Sequence, residues 1–168
     1  AMLDDVVSLC RAAADGTPVE GPLVMPEAQA DMRGDLPEER ISKVFKLHRR
    51  APFQSFLKDP RVAELLTEAL GPDVDCFLSQ FIFKNPGAWG QPWHQDSYYF
   101  PFTPARPVVA LWLAITEATL ENGRFYFATV RCFDQAGCPP PSIRSRAASL
   151  PRTQARAQAS LCHAEVSL

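Results

Sequence analysis

Apolar residues at Leu3, Val6, Val7, Cys10 and Ala13 recur with the period of a helix, and Gly16 predicts its end. Residues 17–38 are rich in proline, glycine and acids and predict a loop. Asp59 reads as an N-cap with Pro60 at the first helical position. Val62, Leu65, Leu66, Ala69 and Leu70 supply an apolar stripe, and Gly71-Pro72 stops it. The period then switches from 3.6 to two. Residues 74–84 (VDCFLSQFIFK) predict a strand with Val74, Cys76, Leu78, Gln80, Ile82 and Lys84 on one face. Residues 108–115 (VVALWLAI) predict a second strand. Val109, Leu111, Leu113 and Ile115 form its core face, and Ala110, Trp112 and Ala114 the other. Asn122-Gly123 is a hairpin-type turn signal. Helices first and strands later predict an α+β arrangement on an antiparallel sheet.

Composition narrows the class. At 168 residues, 46% hydrophobic and 21% charged, the chain has the size and balance of one globular domain with a core. A net charge of −2 argues against nucleic acid or an anionic membrane as partner. No apolar run reaches bilayer length, and Ala1 to Asp5 lack the basic-then-apolar pattern of a secretory signal. Val166-Ser167-Leu168 is not the peroxisomal Ser-Lys-Leu address. Five cysteines without a Cys-x-x-Cys pair predict a reduced, intracellular and cytoplasmic setting. A chain opening Ala1-Met2 is expected to be a fragment or a processed product.

The composition changes near residue 124. Residues 1–123 are acidic, whereas residues 124–168 hold six arginines, no lysine, and only Asp134 and Glu165 as acids. Pro139-Pro140-Pro141 interrupts this segment, and Arg144 to Ala159 has neither helical nor strand period. The expectation is a structured unit over 1–127 and an irregular, disordered tail over 128–168. The bias of the tail is that of GC-rich coding sequence read out of frame.

Candidate chemistry centres on Trp93-His94-Gln95-Asp96. In a strand, residues i and i+2 point the same way, so His94 and Asp96 present an imidazole and a carboxylate together. That is two-thirds of the 2-His-1-carboxylate triad of non-haem Fe(II) oxygenases. A surface histidine beside an aspartate fits the same residues. Trp112 between two alanines suits a pocket wall, and equally a core filler. Gln80, on an otherwise apolar strand face, needs a polar partner, which a ligand can be. Lys84 reads as a strand end reaching solvent. Tyr98, Tyr99, Phe100 and Phe102 suit an apolar substrate pocket or jelly-roll core.

Four blocks in order together resemble the phytanoyl-CoA dioxygenase family. They are Ser79 to Pro86 (SQFIFKNP), Trp93 to Asp96 (WHQD), Val109 to Ile115 (VALWLAI) and Ala118 to Gly123 (ATLENG), with Arg40-Ile41-Ser42-Lys43 upstream. The resemblance is clearest over residues 38–127. It implies a double-stranded β-helix, the cupin-like jelly roll, here partial and preceded by helices. It implies oxidative decarboxylation of 2-oxoglutarate to succinate, coupled to hydroxylation of an unactivated C–H bond of a small-molecule substrate. Fe(II), 2-oxoglutarate and O2 are the implied cofactors, with ascorbate as reductant. Carried over by position, His94 and Asp96 bind iron, Gln95 lies beside the cosubstrate, and Lys43, Gln80 and Trp112 contact 2-oxoglutarate. A lysine and amide donors suit a dianion, through charge-assisted hydrogen bonds.

The family's second histidine ligand, and the arginine that follows it to anchor the distal carboxylate of 2-oxoglutarate, have no evident counterpart. His163 is the one histidine downstream, and no arginine follows it. An unliganded tail histidine is the favoured reading of His163, with the role of ligand as its competitor. The alternative function is therefore a catalytically impaired fragment that binds metal weakly and self-associates through uncovered sheet edges. A hydrolase built on His94 and Asp96 without iron ranks last, because no serine or cysteine sits in a nucleophile motif.

Overall fold

The computed structural model describes residues 1–28, 34–88, 90, 94, 99–100, 102–103, 108–119 and 122, and the backbone of 156–166. It is an α+β fold. The elements are α1 (Met2–Ala14), β1 (Leu23–Pro26), β2 (Ile41–Phe45), α2 (Ala51–Leu57), α3 (Pro60–Leu70), β3 (Val74–Lys84), β4 (Val108–Leu113) and β5 (Arg156–Val166). Short 3-10 turns precede β2 (Pro37–Arg40) and α2 (Leu47–Arg49). The strands form one sheet in the order β1-β2-β3-β5-β4, each neighbouring pair antiparallel. No described helix is long and apolar enough to cross a membrane.

The helices follow their sequence signals. In α1, Val6, Leu9 and Cys10 are buried. Gly16, at φ 75°, carries the chain out of the helix in a conformation that costs glycine little. In α3, the Asp59 carboxylate accepts the backbone N–H of Arg61 at 3.0 Å and its guanidinium at 2.9 and 2.8 Å. These bonds hold the Asp59 carboxyl down at about 2. The buried stripe of α3 is narrower than its apolar pattern. Leu66 is buried with Val62 and Leu70 beside it, whereas Leu65 is 60% exposed.

Residues 17–38, expected as loop, contain β1. Four residues are too few to show a period, and Pro26 is tolerated because β1 is an edge strand. Two ion pairs fasten α1, one to Arg50 just before α2 and one to Glu38 of this region. Arg50 grips Asp5 of α1 through two 2.6 Å bonds, and Arg11 meets Glu38 at 2.6 Å.

The span of β3 matches its prediction, but its faces do not. Val74 and Cys76 pack with Leu66, Val109 and Leu111, while Phe81 and Phe83 pack with α1, α2, Leu113 and Ile115. Residues 109, 111 and 113 share one side of β4, so both groups lie on the helix-covered side. An even-numbered face has become an odd-numbered one within a single strand. The pairing with β5 shifts register between Cys76 and Leu78 and again between Leu78 and Gln80. A bulge adds a residue and reverses the alternation. Val74 and Cys76 therefore do not share a face with Gln80, Ile82 and Lys84. Phe77 lies instead against the rings of Phe100 and Phe102, at 5.0 and 5.4 Å.

The expectation of an irregular tail is corrected for residues 156–166, which run as β5 between β3 and β4. Strand pairing is made by backbone groups and needs no apolar period. Without β5, β3 and β4 would each present an open edge. An Ala- and Ser-rich segment specifies its register weakly. The ladder accordingly contains an irregularity: β5 spends three residues from Ser160 to His163, where β3 and β4 each spend two. Phe125-Tyr126-Phe127, whose aromatic run after the Asn122-Gly123 turn would suit a further strand, lie outside the described residues.

Side chains fix β2 at both ends. The Asn85 amide, on a residue 8% exposed, donates to the carbonyls of Glu38 at 3.0 Å and Ile41 at 3.2 Å. At the other end, the buried Ser79 hydroxyl accepts the His48 N–H at 2.8 Å and lies 2.9 Å from His48 Nδ1. Lys46, at φ 63°, donates its N–H to the Ser79 carbonyl. Burial pushes the His48 imidazole below its ordinary pKa, and the neighbouring Arg49 charge adds to this. An Asn85→Ala substitution strands two carbonyls and is expected to cost about 1–3 kcal/mol. Chemical denaturation would check this; an unchanged midpoint would mean that water replaces the amide.

Candidate functional site

One face of the sheet is turned away from the helices, and cross-strand register places three of the predicted residues on it. Lys43 of β2 is paired with Ile82 of β3, and Gln80 of β3 is paired with Phe45. On its other side Gln80 is paired with Ser160 of β5, which is in turn paired with Trp112 of β4. Residues paired laterally share a face, so Lys43, Gln80 and Trp112 lie together. Neighbouring strands are about 4.8 Å apart, which sets Gln80 and Trp112 about 10 Å apart with β5 between them. Lys43 and Gln80 are diagonal neighbours, about 7–8 Å apart. All three are half-buried.

Trp112 is flanked by the exposed Ala110 and Ala114 and stands on the opposite face from Val109, Leu111 and Leu113. It does not fill the helix-covered core. The Lys43 ammonium is pushed below its ordinary pKa by burial, against the opposing pull of the Glu27 carboxylate. Lys84, two residues beyond Ile82 on the same face, is pushed the same way. Burial is the main cause and the Lys43 charge the second, with Glu27 again opposing. Glu27 is 8% exposed, and its N–H donates to the Arg40 carbonyl at 2.9 Å. This charged group was not legible in the sequence. Glu27 falls in the segment expected as loop, and Lys84 reads as a strand end. The one usable signal was that Lys84 has the parity of Gln80 beyond the bulge.

His94 is exposed, and its ring meets Tyr99 edge-on at 5.2 Å and 73°. Tyr99 is followed by Phe100, whose ring rests on Phe77, so this segment lies toward the Phe77 end of β3. Gln95, Asp96 and Tyr98 lie outside the described residues. The backbone of His163 is paired with Leu78 on one side and Ala110 on the other, next to the row of Gln80, Ser160 and Trp112. Among the described residues, no three His, Cys, Asp or Glu side chains are grouped to hold a metal; Asp96 and the His163 side chain are not among them. The donor types nevertheless suit Fe(II), with an imidazole and a carboxylate two residues apart in the sequence, and the half-buried lysine and amide of the sheet face suit a dicarboxylate.

The family model for phytanoyl-CoA dioxygenase matches residues 4–127. The chain is similar to phytanoyl-CoA dioxygenase domain-containing protein 1 of Rattus norvegicus, 36% identical over 96 residues, covering 54% of this chain and 32% of that protein. The Bos taurus protein of that name is 31% identical over 121 residues, covering 70% of this chain and 40% of the relative. The peroxisomal phytanoyl-CoA dioxygenase of Rattus norvegicus is 25% identical over 108 residues, covering 61% and 32%. The chain thus spans about a third of the length of the curated relatives it matches. No solved structure matches.

Proposed function

The chain belongs to the phytanoyl-CoA dioxygenase family, and on that premise we propose that it carries the iron and 2-oxoglutarate site of a non-haem oxygenase on a partial jelly roll. His94 and Asp96 would hold Fe(II). Lys43, Gln80, Gln95 and Trp112 would receive 2-oxoglutarate. When bound, the metal supplies oxygen activation coupled to decarboxylation of 2-oxoglutarate to succinate and hydroxylation of a small-molecule C–H bond. The chain's own residues bind and shield. Lys43 meets a carboxylate of the cosubstrate, and the Gln80 amide donates to it. Trp112 offers a flat apolar wall that restricts water.

The observation that supports this reading most directly is the placement of Lys43, Gln80 and Trp112 on one sheet face. Three separated sequence blocks converge there, and none of the three residues is needed for the helix-covered core. The test is anaerobic titration with Fe(II) and 2-oxoglutarate. The expected result is the weak visible charge-transfer band of the chelate; its absence at saturating cosubstrate would sink the proposal.

A second reading is an impaired site that binds metal through two residues alone. It is favoured by the end of the family match at residue 127, before any histidine downstream of His94. His163, carried by β5 beside the Gln80 row, is the competing candidate for the third ligand. We propose residues 1–127 as the family domain and residues 128–168 as an atypical segment beyond the family match, of which 156–166 supply β5.

A further inference from the structure

Lys84 and Glu27 have no part in the site as proposed, yet they adjoin Lys43. Lys43 is paired with Ile82, so Lys84 is its diagonal neighbour on the same face, about 7–8 Å away along the backbone surface. A lysine side chain is long enough for both ammonium groups to meet one carboxylate. Ile82 lies between them and is 5% exposed. The N–H of Glu27, bonded to Arg40 just before β2, fixes this nearly buried carboxylate at the same end of the sheet. Two half-buried ammonium groups thus face a single described carboxylate. Like charges held this close out of water repel, and an anion between them relieves the repulsion. Burial pushes both ammonium groups below their ordinary pKa, and at Lys84 the Lys43 charge adds to this, which agrees with the placement. Lys84 is also paired with Arg156 of β5, which sets a third basic residue at the same row.

The order along β3 indicates which anionic group these cations would meet. The His94 segment lies at the Phe77 end, Gln80 is in the middle, and Lys84 is at the far end. A dicarboxylate held at one end by the metal would extend its other carboxylate toward the lysines.

We propose that Lys84 and Lys43 together seat the distal carboxylate of 2-oxoglutarate, with Glu27 as their counter-ion in the empty site. This rests on the oxygenase reading above. It would give the chain a cationic anchor for that carboxylate.

The test is calorimetric titration of the full chain, with Mn(II) present as a redox-silent metal. Two probes are used: 2-oxoglutarate, and 2-oxobutyrate, which has the same 2-oxo acid head but no distal carboxylate. Lys84→Gln and Lys84→Met should each weaken 2-oxoglutarate about ten- to hundredfold, the range for loss of one charge-assisted bond. Neither should change 2-oxobutyrate binding. Lys84→Arg should retain 2-oxoglutarate within a few-fold. Methionine fills the space of the lysine stem, so that variant gives the answer should the glutamine variant fail to fold. Equal 2-oxoglutarate affinity in parent and variants would overturn the proposal alone. So would parallel loss of both probes, which would show a structural role. A parent chain that binds neither probe would overturn the oxygenase reading, and this proposal with it.

Discussion

Alanine at His94 or at Asp96 is expected to abolish Fe(II) binding by the chain. The family pattern places both residues on iron, and the protein has few substitutes. Of its three histidines, His48 is engaged with the buried Ser79 hydroxyl, and His163 lies on β5. Losing one of two or three ligands costs more than losing a supporting residue around a metal, for which about 10–100-fold is typical. The expected fall in affinity is therefore more than about a hundredfold for each single variant. His94 is exposed and packs edge-on against a Tyr99 that is itself 51% exposed. Its replacement should shift stability by no more than about 0.5 kcal/mol, so lost iron would not be a by-product of unfolding. Equilibrium dialysis with anaerobic Fe(II), beside a thermal melt, would show both effects. Unchanged iron affinity in the His94→Ala, Asp96→Ala double variant would refute the site assignment.

Much of the frame was legible because it is written locally. The α1 stripe, the Asp59-Pro60 start of α3 and the alternation of β3 each need only a few neighbouring residues. What was not legible depends on partners distant in sequence. The face of Val74 and Cys76 was misplaced because a bulge against β5, some 80 residues away, reverses the alternation. β1 was missed because an edge strand of four residues carries no period and tolerates Pro26. β5 was read as irregular because its ladder bonds are made by the backbone and leave no apolar signature. At the site, Lys43, Gln80 and Trp112 came from the resemblance, whereas their convergence on one face comes from register. Glu27 and the partnership of Lys84 with Lys43 were legible in neither way, since charge pairing across strands has no sequence period.

Succinate formation by this chain, with Fe(II), 2-oxoglutarate and ascorbate in air, is expected to run at least about a hundredfold below that of a full-length relative assayed beside it. On the two-ligand reading, the metal would be the limiting factor. The family match ends at residue 127, and within it the ligand-type pair is His94 and Asp96. Two ligands hold iron less often than three, and the rate scales with occupancy. As proposed above, Lys43 and Lys84 would serve cosubstrate binding, but they would add nothing to the metal. Free imidazole should therefore raise the rate, because it supplies the missing type of donor. Added chloride at the same ionic strength should not. Succinate at the relative's rate without imidazole would overturn the impairment. The third ligand would then have to come from the chain itself, and His163 is the residue to remove. Its backbone is already paired with Leu78 and Ala110, beside the row that holds Gln80 and Trp112. A His163→Ala variant that lost this activity and regained it with imidazole would make β5 the strand that completes the site. A variant that kept full activity would assign the third ligand to a residue other than His163.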